Sequence, residues 1–178
     1  MKKILVLICL LIPLKISAIS TSARSAILMD MDSGRIFYAK NINSQQSVAS
    51  ISKILTAVVA IDNSNLKNKV TVGNEIKKAY GSGIYIKEGE KLTLQDLLYG
   101  LMLRSGNDAA YTIATYIGGS IDGFVKKMNS KASEIGMKNT KFTNASGLDI
   151  DEIGNLSTAY DMACLLYTSP SPRDRQKS

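Results

Sequence analysis

The 178-residue sequence predicts an α/β fold, in which an N-terminal hairpin contributes to an antiparallel sheet and a helical cluster packs on that sheet. Three observations support this fold. Two short apolar runs near the N-terminus are joined by turn residues, and several later segments repeat apolar residues at helical spacing. The composition, 45% hydrophobic and 21% charged with 3 prolines, is typical of one globular domain with a buried core.

Residues 1–18 predict a secretory signal peptide. Lys2 and Lys3 precede an apolar run from Ile4 to Ile12, and small residues occupy positions 17 and 18. As a helix this run would span about 14 Å, roughly half of the ~30 Å hydrocarbon core of a membrane. We therefore expect cleavage near Ala18 and export of the mature chain, rather than a membrane anchor at this end.

A β-hairpin is predicted next. Its strands, Ser25 to Asp30 and Arg35 to Ala39, are joined by Asp32, Ser33 and Gly34, which are residue types that favour tight turns. A further short strand is predicted at Val70 to Val72.

Five helical segments are predicted after the hairpin. In the first, Ser50 to Ile61, six apolar residues recur at helical spacing and are expected to face the core. The other four are Leu94 to Leu103 with Thr93 as N-cap, Asp108 to Ile117, Ile121 to Ile135 with Ser120 as N-cap, and a last helix opened by Ser157 or Thr158.

The C-terminal residues differ in composition from the rest of the chain. From Tyr167 onward apolar periodicity is lost, and Pro170 and Pro172 are two of the three prolines in the chain. The string also resembles translated ligation-adapter sequence. We therefore expect native sequence to end near Cys164 to Leu166, with residues 19–164 forming the folded part and 165–178 a non-native or disordered tail.

The charge distribution and the absence of histidine exclude several classes of protein. The formal charge is +7, but residues 19–164 carry 16 basic and 14 acidic side chains, so no nucleic-acid partner is indicated. Without histidine the chain cannot form Ser-His-Asp, Cys-His or His-containing zinc sites. Cys9 lies in the leader and Cys164 remains alone, so no internal disulfide is expected. Neither a metal nor a cofactor is predicted.

A serine and a lysine in the first predicted helix are candidates for nucleophilic catalysis. Ser50 and Lys53 are three residues apart, so their side chains share one helix face, and a neutral lysine can act as the base that a histidine-free site needs. If Ser50 opens the helix, its backbone N–H is a free donor that can stabilise an oxyanion. The spacing alone is weak evidence, because Ser64 and Lys67 show it too. That second pair lies in a polar turn, where a solvated surface is the better interpretation.

A second motif, Ser105-Gly106-Asn107, lies between two predicted helices. By itself it is best interpreted as a helix–helix turn, in which Gly106 permits a sharp bend and Ser105 or Asn107 caps the next helix. Together with the first motif, it offers a hydroxyl and an amide that could reach the Ser50 site as proton relay and substrate-holding group.

With these motifs the sequence resembles the serine D-alanyl-D-alanine carboxypeptidases, which are low-molecular-mass penicillin-binding proteins of the bacterial envelope. The resemblance implies a β-lactamase/transpeptidase-like fold, of which residues 19–164 would be the N-terminal part of the catalytic domain. It extends over most of the mature chain up to Cys164. Further matching stretches are Ser25 to Asp30, Ala49 to Ala57, Ile84 to Leu92, Asp96 to Arg104 and Ser157 to Ala163.

The resemblance also implies a role for each motif residue. Ser50 would form the acyl-enzyme, Lys53 would accept its proton, Ser105 would relay a proton to the departing D-alanine, and Asn107 would hold the substrate's peptide carbonyl. Lys53 would also contact Ser105 and Asn107. The implied partners are stem peptides of peptidoglycan ending in D-Ala-D-Ala, with β-lactams as covalent inhibitors, on the extracytoplasmic side of the envelope.

Some family features do not occur in the sequence. The third family motif, Lys-Thr-Gly or a close variant, is not found, so we expect the later sheet strands to be missing and the chain to be truncated and inactive. Contact with the membrane surface would need a C-terminal segment that is also not found.

Two alternatives remain open at this stage. A class A β-lactamase uses the same Ser-x-x-Lys chemistry, but normally has Ser-Asp-Asn where this chain has Gly106 in the middle position. The chain could also be a non-catalytic envelope protein that binds peptidoglycan peptides or β-lactams.

Overall fold

The N-terminal hairpin is present in the computed structural model, which describes residues 20–149 and 154–168. Strands β1 (Ala26–Met29) and β2 (Ile36–Lys40) pair antiparallel, with Leu28 opposite Tyr38. In the turn, the Asp30 carboxylate accepts hydrogen bonds from the backbone N–H and the hydroxyl of Ser33 at 2.8 and 2.7 Å. The hairpin prediction is therefore confirmed, whereas the predicted signal peptide lies outside the described residues.

Four helices enclose the main core. They are α1 (Lys53–Asn63), α2 (Leu94–Arg104), α3 (Asn107–Gly118) and α4 (Ile121–Glu134). Apolar side chains from all four helices are fully buried and pack in one cluster, among them Leu55, Leu97, Leu101, Ile113, Phe124 and Met128. The sequence pattern predicted these four helices and apolar faces that pack together in a core.

The first helix begins later than its apolar pattern indicates. Residues Ala49–Ser52 form a 3₁₀ turn, which Ala49 enters with a left-handed φ of 41°, and the α-helix starts at Lys53. The prediction of a continuous helix from Ser50 is thus wrong by three residues. Ile51 and Ile61, at the two ends of the pattern, are 53% and 47% exposed rather than buried.

Capping explains the other helix boundaries. Thr93 caps α2 through a capping box with Asp96, and Ser120 caps α4 by accepting from the backbone N–H of Gly123, as predicted. The start of α3 differs from the prediction. Its N-cap is Gly106, and no side chain caps it, because Asn107 is inside the helix and its amide points elsewhere.

The remaining strands are short and bring distant segments together. Strands β4 (Lys69–Thr71) and β5 (Lys91–Thr93) pair antiparallel, and β3 (Gln46–Ser47) pairs with β6 (Leu156–Ser157). A second 3₁₀ turn spans Asn74–Lys78. Because β3 directly precedes the 3₁₀ turn at Ala49, its pairing with β6 holds the C-terminal part of the described chain beside Ser50.

The last helix extends beyond its predicted end. Helix α5 spans Ala159–Thr168, and the Thr158 hydroxyl accepts from the Asp161 N–H near its start, as expected for an N-cap. Leu165 is fully buried in the main core. Residues 165–168 of the predicted non-native or disordered tail are helical rather than disordered, while 169–178 lie outside the described residues. No helix of the described residues is long and apolar enough to cross a membrane.

Candidate active site

Ser50 lies exposed on a constrained turn. It occupies the 3₁₀ turn that leads into α1 and directly follows Ala49, whose positive φ is uncommon for a residue with a side chain. The backbone N–H of Ser50 has no hydrogen-bond acceptor among the described residues. The turn therefore exposes Ser50 and leaves its backbone N–H without an acceptor among the described residues.

Lys53 is buried directly behind Ser50. Its side chain is only 3% exposed, and its Nζ donates to three oxygens. These are Ser50 Oγ at 3.1 Å, Asn107 Oδ1 at 2.8 Å and the main-chain oxygen of Ser146 at 2.6 Å. The lysine thus joins the two predicted motifs, which are 54 residues apart in sequence.

Burial changes the acidity of this lysine. The described residues place no carboxylate in an ion pair with Lys53, and desolvation lowers its pKa from 10.5 to about 8. With that pKa roughly one tenth of the molecules carry a neutral amine at pH 7, compared with well under one in a thousand for an exposed lysine. A neutral amine next to a serine hydroxyl can accept its proton.

Asn107 is fixed so that its oxygen faces Lys53. It is 5% exposed, its Nδ2 donates to the main-chain oxygen of Tyr80 at 2.6 Å, and its backbone N–H donates to Ser82 O at 2.8 Å. Since Nδ2 has two hydrogens and one is used by Tyr80, the other has no partner among the described residues. That N–H is available to a bound ligand.

Ser105 adjoins this cluster without a hydrogen bond to it. It ends α2 in a left-handed conformation with φ of 54°, two residues before Asn107. Its hydroxyl makes no hydrogen bond with Lys53 or with any other described residue. Ser50, Lys53 and Asn107 are therefore brought into one network, whereas the expected contact between Lys53 and Ser105 is not made in this conformation.

Asp108 is a site residue that sequence reasoning missed. Its buried carboxylate accepts backbone N–H groups from Ile84, Tyr85 and Ile86, at 2.7 to 3.3 Å, and from Ala109 at 2.8 Å. These bonds fasten the loop 80–86 to the start of α3, next to Asn107. The available signal was an acidic residue directly after Ser-Gly-Asn, at the start of a largely apolar helix.

Ser146 was also missed, and no sequence signal could have found it. It contributes a main-chain carbonyl, a group that every residue has, and it lies 93 positions from Lys53. By contrast, the Ser64 and Lys67 pair is a turn, as interpreted from the sequence. Ser64 accepts from Asn68 Nδ2 at 3.1 Å and makes no hydrogen bond with the Lys67 amine.

Comparison with known proteins agrees with this geometry. The D-alanyl-D-alanine carboxypeptidase family model, peptidase family S11, matches residues 13–175, and the chain belongs to this family. It is 41% identical over 154 residues to the D-alanyl-D-alanine carboxypeptidase DacF of Bacillus subtilis, covering 84% of this chain and 39% of that protein. It is 36% identical over 164 residues to DacC of Escherichia coli, covering 84% of this chain and 40% of that protein. The chain therefore spans about two fifths of the length of these relatives.

Solved structures establish the fold class. The D-alanyl-D-alanine carboxypeptidase of Mycobacterium tuberculosis superposes with a TM-score of 0.82 at 34% identity, covering 89% of this chain and 60% of that one. Penicillin-binding protein 6B of Escherichia coli superposes with a TM-score of 0.79 at 36% identity, covering 87% and 52%. The described residues thus have the β-lactamase/transpeptidase-like fold of the penicillin-binding proteins, as predicted.

Proposed function

We propose that the protein to which this chain belongs is a serine-type D-Ala-D-Ala carboxypeptidase of the bacterial cell wall. The observation that carries the proposal is the position of Lys53, which is buried and hydrogen-bonded to both Ser50 and Asn107. Membership of the family supplies the substrate class, which is a peptidoglycan stem peptide ending in D-Ala-D-Ala.

Acylation begins with proton transfer from Ser50 to Lys53. The Ser50 oxygen attacks the carbonyl carbon of the penultimate D-alanine while its proton passes to the neutral Lys53 amine. The free backbone N–H of Ser50 stabilises the oxyanion of the tetrahedral intermediate. The second N–H of Asn107 Nδ2 holds a peptide carbonyl of the substrate.

Collapse of the intermediate releases the terminal D-alanine. The C–N bond breaks, the amine of the leaving D-alanine receives a proton through the Ser105 hydroxyl, and the acyl group stays on Ser50. Water then attacks this ester, and the Ser50 oxygen regains a proton. Ser105 would have to change its side-chain conformation for this role, because its hydroxyl is not hydrogen-bonded to Lys53 in the structure.

We also propose inhibition by β-lactams, which follows from the same chemistry, and an extracytoplasmic location, which follows from the predicted signal peptide. A β-lactam would acylate Ser50 through its strained amide, but its leaving nitrogen stays tethered, so the ester persists. The predicted signal peptide at residues 1–18 would take the protein to the extracytoplasmic face of the envelope, where the substrate is found. There it would act in cell-wall biogenesis.

The proposal is tested on the full-length protein with two probes. A fluorescent penicillin reports a covalent adduct, and a peptide ending in D-Ala-D-Ala reports release of free D-alanine. We expect stable labelling together with D-alanine release. Rapid turnover of penicillin without D-alanine release would indicate a β-lactamase, and labelling without turnover of either probe would indicate a non-catalytic binding protein.

A further inference from the structure

A five-residue loop covers the inner side of Lys53. We call residues Asn144 to Leu148 the carbonyl loop, because it delivers the main-chain oxygen of Ser146 to the lysine at 2.6 Å. Ala145, Ser146 and Gly147 are buried, and the main-chain oxygen of Ala145 accepts the hydroxyl of Thr56 in α1 at 2.8 Å. The loop therefore sits between the lysine and the body of the fold.

Asn144 holds the loop from within. Its Oδ1 accepts the backbone N–H groups of Ser146 at 3.1 Å and Gly147 at 2.7 Å, and its Nδ2 donates to the main-chain oxygen of Leu148 at 2.9 Å. The amide thus spans both ends of the turn that contains Ser146. Such a side chain fixes the direction in which the Ser146 carbonyl points.

Asn155 holds the loop from outside. It is fully buried, its Oδ1 accepts the backbone N–H groups of Thr143 at 2.8 Å and Asn144 at 3.1 Å, and its Nδ2 donates to Asn144 O at 3.0 Å. Its own main-chain oxygen accepts the N–H of Val48 at 3.1 Å, two residues before Ser50. One asparagine therefore ties the carbonyl loop to the segment that carries the nucleophile.

Gly147 keeps the two segments in contact. Its φ is 76°, and a Cβ added there would lie 1.8 Å from Ala49 O and 2.9 Å from Ser50 N. The backbone of the carbonyl loop thus packs directly on the backbone of the Ser50 turn, with no room for a side chain between them.

The number of hydrogens on a neutral lysine amine determines which of the three oxygens around Nζ faces the lone pair. A charged Nζ can donate to all three oxygens around it, but a neutral Nζ has two hydrogens and one lone pair. The Asn107 amide oxygen and the Ser146 carbonyl can only accept, so they take the two hydrogens. The lone pair is then left for the remaining neighbour, Ser50 Oγ, whose own proton can point toward it.

We propose that Asn144 and Asn155 are positioning residues, which hold the Ser146 carbonyl so that the neutral Lys53 amine directs its lone pair at Ser50. This inference rests on the proposed acylation of Ser50. Without the second fixed acceptor the amine can rotate about its last bond and turn a hydrogen, instead of the lone pair, toward the serine. The loop also keeps water away from Nζ.

The test compares Asn155→Ala with Asn129→Ala in the full-length protein. Asn129 is the control, since its amide also bridges main-chain groups but does not hold the carbonyl loop. It accepts from the backbone N–H of Phe142 and donates to the main-chain oxygens of Val125 and Phe142. The second-order rate of penicillin labelling is measured from pH 6 to 9.5, together with thermal unfolding. Tyr111 is the titratable side chain near Ser146, and burial raises its pKa.

We expect both variants to lose thermal stability, and only Asn155→Ala to be slowed about tenfold or more throughout the pH range. The pH midpoint of its labelling rate should also lie above that of the wild type, because water then reaches Nζ of Lys53. Asn155→Ser and Asn129→Ser, whose single hydroxyl cannot replace both amide functions, serve if the alanine variants do not fold. Equal slowing of the two asparagine positions, with an unchanged pH midpoint, would overturn the proposal. Failure of the proposed acylation is distinguishable, because wild type would then not label at Ser50 at all.

Discussion

The Asn107 amide and the main-chain oxygen of Tyr80 are 2.6 Å apart, and this contact orients the amide so that its oxygen faces Lys53. Tyr80 lies at the start of the loop that Asp108 fastens at its other end. The hydrogen-bonding state of the lysine therefore depends on a loop to which it makes no hydrogen bond. Two loops, 80–86 and 144–148, thus fix the two acceptors of the Lys53 amine.

Replacing Ser50 by alanine should abolish covalent labelling by penicillin, because no other hydroxyl is hydrogen-bonded to Lys53 among the described residues. In other serine hydrolases the loss of the nucleophile costs on the order of 10⁶ in turnover. The matched control is Ser64→Ala, in the second Ser-x-x-Lys pair, which should label at the wild-type rate. Labelling of the Ser50→Ala protein at that rate would remove the assignment of the nucleophile.

The labelling rate should increase with pH and level off above the pKa of Lys53, which is about 8. The neutral amine is the active form, so the rate should be about tenfold lower at pH 7 than at its plateau. Lys53→Ala should be inactive at neutral pH, since no other described side chain is hydrogen-bonded to the Ser50 hydroxyl to take its proton. Rapid-mixing measurements of labelling from pH 6 to 9.5 test this, and a rate that falls across this range would contradict it.

Ser105→Ala and Asn107→Ala should slow acylation strongly and differ in their effect on stability. Ser105 makes no hydrogen bond among the described residues, so its variant should unfold within a few degrees of the wild type. Asn107 bonds to Tyr80 and Lys53, and its variant should lose about 1 to 3 kcal/mol of unfolding free energy. Thermal and urea unfolding, measured beside the labelling rate, check both. If Ser105→Ala lost stability in proportion to activity, the motif would be only a turn.

Asp108→Asn should destabilise the loop 80–86 more than the core. The substitution replaces a charged acceptor of four backbone N–H groups by an amide, at a cost of about 3 kcal/mol. We expect faster amide exchange at Ile84 and Tyr85 and slower labelling. Asp96→Asn is the control, because Asp96 is an exposed helix-capping carboxylate away from the site. Unchanged exchange at Ile84 would show that the loop is held by other contacts.

The sequence predicted those features of the fold that depend on neighbouring residues, such as helix caps. Thr93 and Ser120 cap their helices as expected, since an N-cap depends on residues within one turn. The start of α1 was misplaced, because the residue types at 49–52 give no signal for the positive φ of Ala49 or for the 3₁₀ turn. The Ser50, Lys53 and Asn107 cluster could be assembled from motif spacing and the family resemblance. The carboxylate of Asp108 and the carbonyl of Ser146 could not, because they act on or through the main chain.

Three non-glycine residues around the site, Ala49, Tyr85 and Ser105, have left-handed backbones, each at a conformational cost of about 1 kcal/mol or more. The conformations of these three residues around the site therefore lower the free energy of unfolding. Glycine at position 49 would adopt the same φ without that penalty, yet it would loosen the turn that presents Ser50. Selection for thermal tolerance and selection for turnover would thus favour different residues at this one position.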